Sequence, residues 1–185
     1  MIIGILSWAD ESPHWLSSCI SSFAPTWDHL VAVDGKYLLF PGSLDEPAST
    51  VEQSEAVVST CVGLGLPFTL HRPTTPFEGN EVEKRNLCLR LASAVKKSQD
   101  DWYFVVDADN LARSIVGTRA VLENAPRTCL VAEYAVYHYW DREDAVHPSY
   151  GAVLPDKVRG IYRALDGLEY AGAHWMLRAP TSSAG

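Results

Sequence analysis

Four short apolar runs, Ile2–Trp8, His29–Asp34, Pro67–His71 and Trp102–Val106, recur along the chain with little polar alternation. A strand with one wet face alternates apolar and polar residues, whereas an unbroken apolar run suits a strand covered on both faces. Helical patterns separate the runs. Ser12-Pro13 reads as an N-cap followed by proline at the first helical position, and Leu16, Cys19, Ile20 and Phe23 then fall on one face. Ser49-Thr50-Val51-Glu52 reads as a capping box opening a helix to about Leu64, and Asn80-Glu81-Val82-Glu83 reads as a second. The second helix should bury Cys88, Leu91, Ala92 and Val95. Val116–Asn124 reads as a further helix and Cys129–Tyr139 as a tyrosine-rich strand.

Strand and helix that alternate in this way form parallel pairs through right-handed crossovers, with helices on both faces of the sheet. The expected fold class is therefore α/β: one domain over residues 1–185 around a mostly parallel central sheet. The small-residue stretch Thr181–Gly185 is expected to be a frayed tail. The length suits one full core, and 47% hydrophobic with 21% charged residues is ordinary for a folded domain.

Composition also bears on partners. The formal net charge of −8, with no basic stripe, does not indicate nucleic acid. The opening Met-Ile-Ile-Gly-Ile-Leu is too short for a membrane span and lacks a signal peptide's basic flank. Cys19, Cys61, Cys88 and Cys129 form no C-x-x-C pair, so buried reduced thiols in a cytoplasmic protein are expected rather than a zinc site.

The chemistry concentrates at strand ends. In α/β sheets ligands bind at the carboxyl ends of the strands, so Asp34, Asp107 and Asp109 should converge on one rim. Two carboxylates two residues apart repel unless a cation sits beside them, and hard oxygen ligands suit Mn²⁺ or Mg²⁺. Such an ion takes phosphate oxygens as further ligands and stabilises a departing nucleotide. The plainer reading is one helix-capping acid and one solvated acid. His174 could complete a metal shell or be a satisfied structural histidine. Glu11 and Asp34 read equally as pocket acids or as a helix-start charge and a turn acid. Lys84, Arg85 and Asn86 read either as a functional helix start or as a solvated face.

Several segments in order resemble family-two glycosyltransferases with the GT-A fold. They are Ala9-Asp10-Glu11, Val33-Asp34-Gly35, Glu83-Lys84-Arg85-Asn86, Val106-Asp107-Ala108-Asp109, and Arg159-Gly160-Ile161-Tyr162-Arg163 followed by Leu168-Glu169-Tyr170-Ala171-Gly172-Ala173-His174. The resemblance implies a UDP- or GDP-sugar donor, with Glu11, Asp34, Arg85 and Asp107 in the nucleotide pocket. It implies Asp107, Asp109 and His174 around the metal, and leaves the acceptor open. Of the downstream acids Glu133, Asp141 and Asp144, the last two are the candidates for a catalytic base. The chain departs from the family at Lys36-Tyr37-Leu38, where a Ser/Thr-Asp-rich turn is usual, and at Trp175, where glutamate often follows the histidine. It ends soon after His174, where many relatives continue into acceptor-binding helices. Two other readings stand beside the transferase: a sugar-1-phosphate nucleotidyltransferase, although Ser7-Trp8-Ala9-Asp10 lacks the glycines of a phosphate loop, and a non-catalytic sugar-nucleotide-binding module.

Overall fold

The computed structural model describes residues 1–78, 80–136, 156–172 and 177–179. The elements are β1 (Ile2–Ser7), α1 (Pro13–Phe23), β2 (His29–Val33), α2 (Val51–Leu64), β3 (Phe68–His71), α3 (Glu81–Val95), β4 (Trp102–Asp107), α4 (Thr118–Asn124), β5 (Val131–Val136), β6 (Asp156–Arg163), β7 (Glu169–Tyr170) and β8 (Leu177–Arg178). The main sheet runs β3-β2-β1-β4-β6-β5, and β7 pairs with β8 separately. Pairs β3-β2, β2-β1 and β1-β4 are parallel, while β6 runs antiparallel to both β4 and β5. The expected α/β class with a mostly parallel sheet is what the chain adopts.

The apolar runs are strands because both of their faces are buried. From β1, Ile2 and Leu6 enter one core and Ile3 and Ile5 the other; β2 divides Leu30 and Ala32 from Val31 and Val33 in the same way. Helices α1 and α2 cover the first face with Leu16, Cys19, Ile20, Phe23, Val57 and Cys61, while α3 covers the second with Cys88, Leu89 and Ala92. This division follows from chirality. The chain steps from β1 to β2 to β3 in one direction, then back across to β4, and right-handed crossovers put the returning helix on the opposite face. On the first face Phe23 stacks on Trp27 at 5.5 Å and meets Phe104 edge-on at 5.5 Å. Such pairs add about 0.5–1.5 kcal/mol each beyond their buried area. Gly4 leaves room for the Trp27 ring: a Cβ there would lie 2.3 Å from it.

Several local expectations need correction. Thr50, not Ser49, is the N-cap of α2, and its side chain makes no capping bond. Ser49 is committed elsewhere, its amide to Asp34 and its hydroxyl to the Asp10 amide. Ser12 does precede Pro13 at the start of α1 but caps nothing with its side chain; the Glu11 carboxylate accepts the Ser12 amide instead. Asn80 caps α3 as expected, accepting from the Val82 amide. On α3 the fully buried positions are Lys84, Cys88, Leu89 and Ala92, with Leu91 and Val95 packed at the edge of that core. The fourth helix begins at Thr118 rather than Val116. Residues 181–185 lie outside the described residues.

Candidate functional site

The strand order reverses between β1 and β4, and in such sheets the crevice outside the carboxyl ends at the reversal is where ligands sit. Ser7 and Asp107 are register partners there, so the residues after β1 and the acid closing β4 reach the same rim.

The Asp107 side chain is 59% exposed, and its Oδ1 accepts from Arg85 Nη2 at 2.9 Å. Arg85 also donates through Nε to Glu81 at 2.7 Å. Burial opposes its charge, but Asp107 and Glu81 outweigh that and hold the guanidinium above its ordinary value. Asp109 is exposed, with Oδ1 accepting from the Asn110 side-chain amide at 3.1 Å. Cys19 is buried, and its Sγ donates to the Asp107 carbonyl at 3.6 Å. Its thiol is pushed up to about 12, by burial first and then by Asp109, Asp107 and Glu11. Of the acids expected on one rim, Asp107 and Asp109 both bear electrostatically on this buried sulfur.

Asp34 is at the strand end expected of it, but fully buried. Its carboxylate accepts the Ser49 amide and pairs with Arg72 Nε at 3.4 Å. It thereby ties the loop before α2 to the end of β2. Glu11 is half-buried, its carboxylate on the Ser12 amide and its own amide on Gln53 Oε1. The intervening turn is sharp, with Asp10 in the left-handed region at φ 51°. Buried Lys36 reaches back to Asp10 Oδ2 at 2.9 Å.

The solvated-face reading of Lys84, Arg85 and Asn86 fails at all three positions. Lys84 is 5% exposed and donates to the carbonyls of Trp8 and Gly35, joining the loops after β1 and β2. Burial lowers its ammonium to about 8. Asn86 donates to the Tyr170 carbonyl at 3.0 Å and accepts the Tyr170 amide at 2.7 Å, a two-bond clasp. The clasp seats the Tyr170 ring 5.9 Å from the Arg85 guanidinium. A sequence signal for Lys84 existed: it sits four residues before Cys88 on the stripe continued by Ala92.

A cleft of about 410 Å³ opens beside Asp107, lined by Arg85, Tyr134, Arg159, Tyr162 and Tyr170 among others. It exists because β4 and β6 part. They pair only from Trp102↔Arg163 to Phe104↔Ile161, and past that point the Tyr134 hydroxyl donates to the Val105 carbonyl at 3.2 Å. Gly160 permits this, since a Cβ there would lie 2.4 Å from the Tyr134 ring. Burial raises the Tyr134 and Tyr170 hydroxyls well above their ordinary range. Sequence reasoning noticed the tyrosine richness of β5 but not this wall, because the parting of β4 and β6 is a tertiary event.

The two arginines of the Arg159–Arg163 segment have separate surroundings. Arg159 lines the cleft and pairs with Glu133 at 3.0 Å. Arg163 sits at the amino end of β4, 4.0 Å from the Trp102 ring, with its guanidinium donating to the carbonyls of Asp100, Ala125, Pro126 and Cys129. Asp141, Asp144 and His174 lie outside the described residues. Among the described residues no three His, Cys, Asp or Glu side chains gather as a metal-binding group. None of their helices is long and apolar enough to cross a membrane. Compared with protein-family models the chain finds no match, and compared with curated proteins it finds none either.

Proposed function

We propose that this chain is a divalent-metal-dependent glycosyltransferase, moving a sugar from a UDP- or GDP-sugar donor to an acceptor. The supporting observation is the pair of exposed acids Asp107 and Asp109 at the end of β4, in the crevice where the strand order reverses, with Arg85 on Asp107. Departure of a nucleoside diphosphate builds negative charge, and a site for it needs fixed positive charge. Arg85 supplies one such charge and Lys84 a second, buried behind the loops after β1 and β2.

The donor set suits a hard cation in chemistry and exposure. Asp107 and Asp109 offer carboxylate oxygens at the surface, and Mg²⁺ or Mn²⁺ commonly binds one or two carboxylates and completes its shell with water and phosphate. These two residues would hold the ion, which would neutralise charge on the diphosphate. By the family resemblance, His174 would be a further ligand, and Asp141 or Asp144 would take the acceptor proton. Arg85 orients Asp107 and Asn86 positions Tyr170 beside it, so the described residues preorganise one wall.

The nucleotidyltransferase reading is less favoured. Its phosphate loop needs glycine, whereas here the β1–α1 turn is made by Asp10 at φ 51° and pinned by Lys36 and Ser49. An assay of nucleoside-diphosphate release from a panel of UDP- and GDP-sugars tests the proposal. At least one donor should be turned over with Mn²⁺ or Mg²⁺, and the release should stop on chelation. No release from any donor with either metal would overturn it.

A further inference from the structure

The two acids of the rim are held by different kinds of donor. Asp109 Oδ1 accepts from the neutral side-chain amide of Asn110 at 3.1 Å, whereas Asp107 Oδ1 accepts from a cation, Arg85 Nη2, at 2.9 Å. The same guanidinium donates through Nε to Glu81 Oε1 at 2.7 Å, so one positive charge serves two carboxylates. The Arg85 side chain is 13% exposed against 59% for Asp107, which gives the pair a protein-facing cation and a water-facing acid. Arg85 is seated from two sides. Glu81 lies one turn earlier on α3, and the Tyr170 ring lies 5.9 Å away, fixed by the Asn86 clasp.

A divalent ion and a guanidinium compete for one carboxylate. A neutral outer donor orients a metal ligand and so tightens the metal; Asn110 on Asp109 is of that kind. Arg85 on Asp107 is not, because it brings a full positive charge against the ion. At ion-pair distance and beside a partly dewatered wall, that repulsion outweighs the gain from holding the carboxylate in one orientation. We propose that Arg85 gates the metal pair: it occupies Asp107 Oδ1 and opposes the ion until the phosphates of a nucleotide neutralise the guanidinium. The ion alone then binds weakly, and the ion and the nucleotide bind together. This proposal rests on the glycosyltransferase reading above. Arg85 is thereby a positioning residue whose choice of partner couples the two ligands, and such coupling is reciprocal.

The test titrates Mn²⁺ into the metal-free protein without nucleotide and counts the free ion by electron paramagnetic resonance. Arg85→Met should bind Mn²⁺ about tenfold or more tightly than wild type, because Asp107 is released and the opposing charge is gone. Were Arg85 an ordinary outer support of the ligand, the same variant would bind about 10–100-fold more weakly, so the sign of the change decides. Glu81→Gln should leave Arg85 wholly to Asp107 and weaken Mn²⁺ binding severalfold. It gives an independent reading if the urea midpoint shows that Arg85→Met folds poorly. Equal or weaker binding by folded Arg85→Met, or binding by Glu81→Gln as tight as wild type or tighter, would overturn the gate while leaving the metal site in place. Absence of Mn²⁺ binding in wild type and in both variants would overturn the gate together with the reading of Asp107 and Asp109 as metal ligands.

Discussion

At the scale of single residues, the site rests on charged groups placed where burial makes them costly. Lys84 is the clearest case. Its folded value of about 8 lies below the ordinary 10.5. The neutral form is therefore favoured by folding, and that contribution is fully present above pH 10.5 and lost as pH falls through 8. Lys84→Met should accordingly be more destabilising near pH 10 than near pH 7. At the higher pH the cost should be about 1–3 kcal/mol, as the Trp8 and Gly35 carbonyls lose their shared donor. Urea unfolding of both proteins at the two pH values checks this; a cost that shrinks as pH rises would contradict it. Asp109 is the opposite case, exposed, with its Oδ1 accepting from the Asn110 side-chain amide. Asp109→Asn should leave stability within about 0.5 kcal/mol of wild type while abolishing metal-dependent nucleotide binding. An unfolded variant would make Asp109 a structural residue.

At the scale of elements, α3 carries the site's fixed wall. One capping bond begins it, and Lys84, Arg85 and Asn86 follow within its first two turns. Asn80→Ala should cost about 1 kcal/mol of stability, read as a lowered urea midpoint with an unchanged slope. Gly4→Ala should cost about 1–3 kcal/mol by overpacking against Trp27, and an unchanged midpoint would contradict the placement of that ring. The elements that were legible in the sequence were those whose period matched their burial. The buried face of α1 emerged residue for residue, since Leu16, Cys19, Ile20 and Phe23 are all buried. The start of α2 was misplaced because Ser49 looks like a cap, yet its amide and hydroxyl serve Asp34 and Asp10, which are distant in sequence. Strand β6 was read only as part of a motif. Its Arg159, Gly160 and Arg163 break the apolar pattern, and each is explained only by a tertiary partner: Glu133, the Tyr134 ring and Trp102.

At the scale of the whole molecule, the sheet explains why residues far apart in the chain meet. Ser7 lies opposite Asp107 in register, and Tyr170 is clasped to Asn86 across 84 positions. The position of Asp107 and Asp109 at a strand end on the rim was legible because buried strands in an α/β sheet end together. Asp34 shared the strand-end position but went into the interior, because Ser49 and Arg72 supply partners that a sequence cannot show in advance. The proposed function requires that this rim bind a nucleoside diphosphate through a divalent ion. Thermal unfolding of wild type with UDP and with GDP, each with and without Mn²⁺, tests that claim most directly. One nucleotide should stabilise the protein only when Mn²⁺ is present, by about 2.7 kcal/mol at a hundred times its dissociation constant, and Asp109→Asn should lose the effect. Absence of a metal-dependent shift with either nucleotide, or an undiminished shift in Asp109→Asn, would contradict the account.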